Sequence, residues 1–249
     1  MALDARSRLC LVRVKVERAK KHLCDLEKDL IEYRRNGYTV IGPATDPKTG
    51  TPLPTASRTF HTLPRIPIDA IAASGDILQN LRSALDHLAY QLVLVGTNDV
   101  LPKNPRSIQF PIVKDFATYE AEKVRRVGGM RDGAKRAIDD AKPYKGGNDN
   151  LWRIHELSNI DKHRTLFSVA HDYLYLADWL PGVAPYWHKD KEPTFAGVFG
   201  DEKESDVQAE INEEVGKAKV VQSDALLPTL RQLVSFTDTF VRSFLPLLQ

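Results

Sequence analysis

The sequence is poor in cysteine: Cys10 and Cys24 are the only two among its 249 residues. They are 14 positions apart in a stretch that the spacing of leucine and valine predicts to be one helix. At 1.5 Å per residue they would lie about 21 Å apart along that helix, too far for a disulfide bond within it. We therefore expect two thiols, buried or at the surface, in a reduced cytoplasmic protein.

Long apolar runs are also missing from the chain. Nowhere do about 18 apolar residues follow one another, and the start, MALDARSRLCLVRVKVERAKKHL, carries charges throughout. An uninterrupted apolar region of the kind that signal peptides have is absent from this start. These two absences argue against secretion and against a membrane as partner.

Charge of one sign is not in excess, because 35 basic residues face 33 acidic ones and the formal net charge is +2. Such a balance does not by itself require a nucleic acid or an anionic membrane as partner, so any anion site must be local. The sequence has no nucleophile motif G-x-S-x-G, no phosphate-binding glycine loop and no dinucleotide fingerprint. We expect no bound cofactor.

Metal-binding patterns are missing as well. The sequence contains no H-E-x-x-H, C-x-x-C or Glu-x-x-His pattern. His155 and His163 are eight residues apart, about 12 Å along a helix, so they cannot share one ion. We expect no metal site, although a mononuclear site that combines His87 with Glu156 or His163 stays open as an alternative.

What the chain does have is a hydrophobic content of 42%, enough for a packed core in one large domain or two small ones. Apolar residues at helical spacing and helix-terminating signals predict five helical regions. These are Asp4–Arg35, Ile68–Val95, a charged helix over Asp115–Lys142 interrupted near Gly128, a helix from Leu151, and a last helix over Ser223–Leu248.

Two parts of the chain have strand-like composition instead. YTVIG and SRTFHTL, separated by DPKTGTPLP, predict an irregular β-hairpin, and LFSVA, YLYLADWL and TFAGVFG predict short strands after Phe167. We therefore predict a mainly α (α+β) fold in one domain, 1–249. A bundle of long helices from 1–37, 68–168 and 223–249 would carry β-rich insertions at 38–67 and 168–222.

The stretch NLRSALDHL carries the first candidate site. The second helix has leucines or valine at alternating steps of three and four, which is the spacing of a packed seam; they are Leu78, Leu81, Leu85, Leu88, Leu92 and Val95. At about 100° per residue, Asn80 and His87 lie on one flank of this seam, while Arg82 and Asp86 lie on the other. Arg82 and Asp86 are one turn apart and can pair. The alternative to a functional role for this pair is an ordinary ion pair on the surface.

Arg82 followed after four residues by His87 resembles the R-x(4–6)-H signature of the HEPN superfamily. These are helical-bundle proteins, many of them metal-independent endoribonucleases of toxin–antitoxin and defence systems. The resemblance covers the helices around 68–95 and 150–168, and the chain is also similar to uncharacterised bacterial proteins of its size. The HEPN resemblance implies that Arg82 and His87 are catalytic, that the substrate is RNA, and that the protein is a homodimer with an antitoxin-like protein partner.

The two residue types suit RNA cleavage without a metal ion. Histidine can move the proton of the 2′-hydroxyl or of the leaving oxygen, and arginine can hold phosphoryl oxygens with its planar fork. Five residues apart on a straight helix, however, the two side chains point about 140° apart. The site therefore needs a distorted helix or two subunits whose motif helices face each other.

The helix from Leu151 carries the second group of candidates. Trp152, Glu156, Asn159 and His163 share one stripe, and Lys162 and Arg164 add positive charge suited to a phosphate. Asp161 falls on the apolar face, where an inward carboxylate needs partners such as Arg82. The alternatives are a solvated helix face for the stripe and a buried structural ion pair for Asp161.

Three functional hypotheses follow. The leading one is an HEPN-like, metal-independent endoribonuclease or RNA-binding protein that uses Arg82 and His87, oriented by Asn80 and Asp86 and supported by the residues of the Leu151 helix. The second is a non-catalytic binding or assembly protein in which the same Arg, Asp and His side chains form a structural polar network. The third is a metal-dependent hydrolase.

Overall fold

The computed structural model describes residues 3–35, 38–45, 52–62, 68–102, 104–163, 169–170, 194–195 and 226–249. Within these residues the fold is mainly α-helical, as the sequence predicts. The six described helices are α1 (Ala5–Arg35), α2 (Ile68–Gly96), α3 (Phe116–Arg126), α4 (Asp132–Asp140), α5 (Asp149–His163) and α6 (Leu226–Ser243).

The described strands form two antiparallel pairs, one of long strands and one of two-residue strands. β1 (Tyr38–Thr45) pairs antiparallel with β2 (Pro52–Thr62), and the two-residue strands β3 (Val169–Ala170) and β4 (Thr194–Phe195) pair with each other. The β-rich architecture predicted for the two insertions stays a prediction, because no side chain of residues 33–68 or 163–225 is described.

α2 is the central helix of the described part and contacts α1, α5 and α6. Every residue of its predicted seam is buried. The spacing of leucine and valine predicts an apolar stripe on α1, formed by Leu9, Val12, Val16, Leu23, Leu26 and Leu30. All six are buried, and Val12, Val16 and Leu26 are fully inaccessible to solvent. Burying one such side chain stabilises the fold by about 1.5–3 kcal/mol, so the α1–α2 seam contributes substantially to the stability of the described core. Both predicted stripes are therefore confirmed.

The charged helical region is interrupted between α3 and α4, and the sequence predicts this interruption near Gly128. α3 begins after Asp115, whose carboxylate caps the helix by accepting the Thr118 N–H at 2.7 Å. The turn after α3 contains Gly129 with φ 90°, a left-handed conformation that glycine adopts without strain. The predicted break is confirmed, and it lets α4 change direction.

The C-terminal helix ends earlier than predicted. α6 ends at Ser243, and a 3-10 turn, Leu245–Leu247, follows it. Pro246 lacks an N–H and clashes with the preceding helical turn, so an α-helix cannot continue through it to Leu248. Residues 223–225, the predicted start, lie outside the described residues.

Two further expectations concern the surface. Cys10 and Cys24 are both exposed, which decides between the buried and surface alternatives. Among the described helices we find none with the length and apolar character that crossing a membrane requires.

Asp238 joins α6 to α1 through an ionic network. It accepts hydrogen bonds from Arg242 at 3.1 Å, Lys20 at 2.9 Å and Arg13 at 3.2 Å, and its side chain is 18% exposed. Burial alone would raise the pKa of Asp238, but these charged donors outweigh it and lower the pKa to about 2. The carboxylate is therefore more stable as an anion in the folded chain than in the unfolded chain.

We expect this network to contribute about 2 kcal/mol at neutral pH, since the pKa falls from near 3.9 in the unfolded chain. Because the folded-state pKa is the lower one, the contribution is present above about pH 4 and is lost as the pH falls towards 2. Urea unfolding of Asp238→Asn should show a lower free energy at pH 7 and a flatter decline between pH 5 and 2. Asp25→Asn, which removes an exposed carboxylate of α1, is the matched control. Equal acid slopes in wild type and Asp238→Asn would contradict the assignment.

Candidate functional site

Arg82 lies on the flank of α2 that faces the extended segment around Phe110, and it is only 6% exposed. Its Nη2 donates to the Phe110 carbonyl at 3.0 Å and is 3.0 Å from Asp86 Oδ1. The Phe110 N–H donates to the same carboxylate oxygen at 2.9 Å. The predicted pairing of Arg82 and Asp86 is confirmed, but it is not a surface ion pair, because the guanidinium is buried.

These three residues form what we call the Phe110 clamp: Arg82, Asp86 and the backbone of Phe110. The Phe110 side chain is fully buried, and its ring lies edge-on to Phe240 of α6, with centroids 5.7 Å apart. Buried backbone groups need hydrogen-bond partners, and the clamp supplies them for both polar groups of Phe110. It thereby fixes an extended segment between α2 and α6.

His87 and Asn80 lie on the other flank of α2. His87 is exposed, while Asn80 is half-buried and its Nδ2 donates to the Asp76 carbonyl at 2.8 Å. α2 is one continuous α-helix from Ile68 to Gly96, so it shows no distortion that would turn His87 towards Arg82. Within one chain the structure does not bring the predicted catalytic pair together.

His155 of α5 is not among the predicted site residues. It lies within electrostatic range of the Arg82 guanidinium. Burial, together with the positive charges of Arg82, Arg126 and Lys162, lowers the pKa of His155 to about 4. Its Nε2 is 3.1 Å from Asn159 Nδ2, and its Nδ1 is buried without a hydrogen-bond partner among the described residues. The side chain is therefore a neutral imidazole at neutral pH.

Arg126, the last residue of α3, approaches the same region. Its Nε donates to Glu122 Oε2 at 2.8 Å. Burial lowers the pKa of Arg82, the Asp86 carboxylate opposes this, and the charge of Arg126 lowers the pKa again. Three helices thus bring basic side chains to one place, which we call the basic cluster: Arg82, Arg126 and Lys162 are cationic, and His155 is neutral.

Trp152 lies beside the basic cluster on α5. Its ring centroid is 6.1 Å from that of His155, and Lys145 Nζ lies 6.0 Å from the indole centroid. Trp152 and Glu156 are half-buried, whereas Lys145 and Lys162 are exposed. The predicted stripe is therefore partly covered by protein rather than fully solvated.

Asp161 faces α2, as predicted, but its partner is not Arg82. Its Oδ2 accepts from Gln79 Nε2 at 3.1 Å, and the same amide nitrogen donates to the Ser158 carbonyl at 2.8 Å. A Cβ on Gly75 would lie 2.4 Å from Asp161 Oδ1, so this glycine makes room for the carboxylate. Arg82, the candidate partner named for Asp161, instead pairs with Asp86 and donates to the Phe110 carbonyl.

Two predicted site residues fall outside what can be described. The side chain of His163 and the whole of Arg164 lie outside the described residues. Elsewhere in the described ranges, no three His, Cys, Asp or Glu side chains are grouped so that they could hold a metal ion.

Sequence reasoning missed His155 and Arg126. A signal for His155 was present, because it follows the buried Ile154 and lies four residues after the buried Leu151, which places it at the edge of the apolar face. Arg126 carried no such signal, since it lies 44 positions from Arg82 and ends a charged helix.

The fold and the site define a mainly α-helical protein with an arginine-rich, partly buried polar cluster between α2, α3 and α5. Comparisons with protein-family models, with curated proteins and with solved structures find no match to this chain. The chemistry of the site itself therefore carries the functional proposal.

Proposed function

We propose that the protein binds single-stranded RNA on the face of α5 that carries Trp152. The observation that carries this proposal is the arrangement of Lys145 over the indole ring, with His155 against it and Lys162 on the same helix. Bases of single-stranded RNA stack on aromatic side chains, while basic side chains follow the phosphates. Lys162 is ten residues after Trp152, about 15 Å further along α5 and about 80° around the helix, so it borders the Trp152 face.

The proposal includes the family and assembly that the sequence implies. We propose an HEPN-like bundle in one domain, cytoplasmic, homodimeric and able to take an antitoxin-like partner. The β-rich insertions at 38–67 and 168–222 have no assigned role in it. Cleavage through Arg82 and His87 would need the His87 of a second copy to reach Arg82. Because His87 lies on the other flank of α2 and Arg82 Nη2 is engaged in the Phe110 clamp, we propose RNA binding in preference to cleavage by this pair.

A second candidate function is supported by the Phe110 clamp itself. Arg82 and Asp86 satisfy both backbone groups of a fully buried residue, which is what a structural polar network does. In this candidate the protein is a non-catalytic assembly factor, and the clamp stabilises the bundle rather than contacting a ligand.

The test of RNA binding is fluorescence anisotropy with a labelled single-stranded RNA at several salt concentrations. Stacking of one base is worth about 1–3 kcal/mol, so Trp152→Ala should weaken binding by about 5- to 150-fold. Lys145→Gln should reduce the salt slope by about 0.7, the value for one phosphate contact on a single strand. Phe116→Ala removes an exposed aromatic side chain of α3, and Lys28→Gln an exposed lysine of α1; both should bind as wild type does. Equal weakening by Phe116→Ala and Trp152→Ala would overturn the proposal.

The same preparations also test the preference for binding over cleavage. Wild-type protein in EDTA should leave the RNA intact while it binds. Cleavage in EDTA that His87→Ala abolishes, with an unchanged melting temperature, would replace this preference by the Arg82–His87 nuclease hypothesis.

A further inference from the structure

We propose that Arg82, Arg126 and His155 form a binding site for one phosphate-type oxyanion inside the junction of α2, α3 and α5. The inference deepens the proposed function and rests on it for the source of the ligand, a phosphate group of bound RNA. Three separate features of the described residues support the site itself.

The first feature is an unused donor on Arg82. Nη2 of this guanidinium serves the Phe110 clamp, whereas Nη1 is buried and has no hydrogen-bond acceptor among the described residues. Leaving a buried charged donor unsatisfied is unfavourable, and buried polar groups in folded proteins nearly always have partners. An acceptor that reaches Nη1 from outside the described chain would be strongly favoured.

The second feature is the orientation of His155. Asn159 Nδ2 is only a donor, so His155 Nε2, 3.1 Å away, must accept from it. A neutral imidazole with an accepting Nε2 carries its proton on Nδ1, and this Nδ1 is the buried atom that lacks a partner among the described residues. His155 and Arg82 therefore each present an N–H that needs an acceptor.

The third feature is the electrostatic potential. Burial is the first cause of the lowered pKa of His155, and every charge that adds to it is positive: Arg82, Arg126 and Lys162. Each arginine also pairs with a carboxylate, Arg82 with Asp86 and Arg126 with Glu122, but Arg82 Nη1 is left without an acceptor among the described residues. A site with positive potential and neutral or cationic donors stabilises an anion.

The number and type of donors favour a phosphate group over a simple halide. The three donor side chains come from three helices, and arginine forks match the several oxygens of a phosphate group. A phosphate oxygen that accepts from Arg82 Nη1 and His155 Nδ1 would satisfy both donors at once. Arg126 would hold a second oxygen of the same group.

The experiment is a titration of the purified protein with inorganic phosphate, followed by thermal denaturation and by the ¹⁵N signal of His155 Nδ1. We expect the melting temperature to rise with phosphate and not with chloride at equal ionic strength, and the His155 signal to move with the same Kd. Arg126→Gln and His155→Phe should each weaken phosphate binding at least 10-fold. Arg125→Gln, the neighbouring arginine with a side chain 62% exposed, should bind as wild type does. A substitution of Arg82 would not isolate phosphate binding, because it would also break the Phe110 clamp.

Two results would overturn the site. One is an equal rise in melting temperature with phosphate and chloride, and the other is an equal loss of phosphate binding in Arg125→Gln and Arg126→Gln. RNA competition separates this inference from the proposed function. If phosphate binds but RNA neither binds nor displaces it, the RNA proposal fails and the oxyanion site stands as a site for free phosphate. If RNA binds and phosphate does not, the oxyanion site fails and the Trp152 face stands.

Discussion

Asp86→Ala is expected to lower the free energy of unfolding by about 3–5 kcal/mol. The substitution removes the carboxylate 3.0 Å from Arg82 Nη2 and leaves that guanidinium as a buried charge without its counter-ion. It also removes the acceptor of the Phe110 N–H, which is then unsatisfied beside a fully buried ring. Urea denaturation at pH 7 measures the loss, with the transition midpoint and slope fitted together.

His87→Ala is the matched control, because His87 is the next residue on α2 and is exposed. Its effect should stay within about 0.5 kcal/mol. A double variant, Arg82→Met with Asp86→Ala, should be more stable than Asp86→Ala alone, since it removes the unpaired charge along with its partner. A loss from Asp86→Ala no larger than that from His87→Ala would show that the Phe110 clamp does not stabilise the fold.

The seam of α2 could be predicted because helical periodicity reports directly which face is buried. Leu78, Leu81 and Leu85 recur at three and four residues, and all are fully inaccessible to solvent. The same arithmetic placed Arg82 and His87 on different flanks. The partner of Arg82 could not be predicted in this way, because Phe110 is 28 residues further along the chain in a segment without periodicity. Contacts of that kind depend on the path of the chain between helices.

The candidate site was only partly predictable for a similar reason. A short motif, Arg82 and four residues later His87, directs attention to residues that are near in sequence. The fold instead places Arg82 within electrostatic range of His155 and Arg126, which come from two other helices. Which flank a polar residue occupies follows from the sequence, but which helix covers that flank follows from packing.

Gly96→Ala is expected to destabilise the protein by about 3 kcal/mol, at the upper end of the usual range for overpacking. Gly96 is the last residue of α2, and a Cβ there would lie 1.9 Å from the carbonyl oxygen of Gly129 in the turn between α3 and α4. The obstructing atom belongs to the backbone and cannot rotate away as a side chain could. Either the end of α2 or the turn must shift, and the turn has little space, because a Cβ on Gly129 would itself lie 3.2 Å from Thr97 Cγ2 and 3.3 Å from Val93 Cγ1. Thermal and urea denaturation should both report the loss.

Gly133→Ala gives the matched comparison, because it adds the same methyl group to a glycine of the described helices where there is space. A Cβ at Gly133 would lie 3.4 Å from Leu247 Cδ2, an ordinary contact with the end of a flexible side chain. Alanine is the better helix former, so this variant should be stabilised by up to about 1 kcal/mol. If the free energy of unfolding falls in Gly96→Ala and rises in Gly133→Ala, the loss comes from the close approach of α2 to the Gly129 turn. Destabilisation of similar size in both would mean that the loss at Gly96 does not come from crowding against the backbone of Gly129.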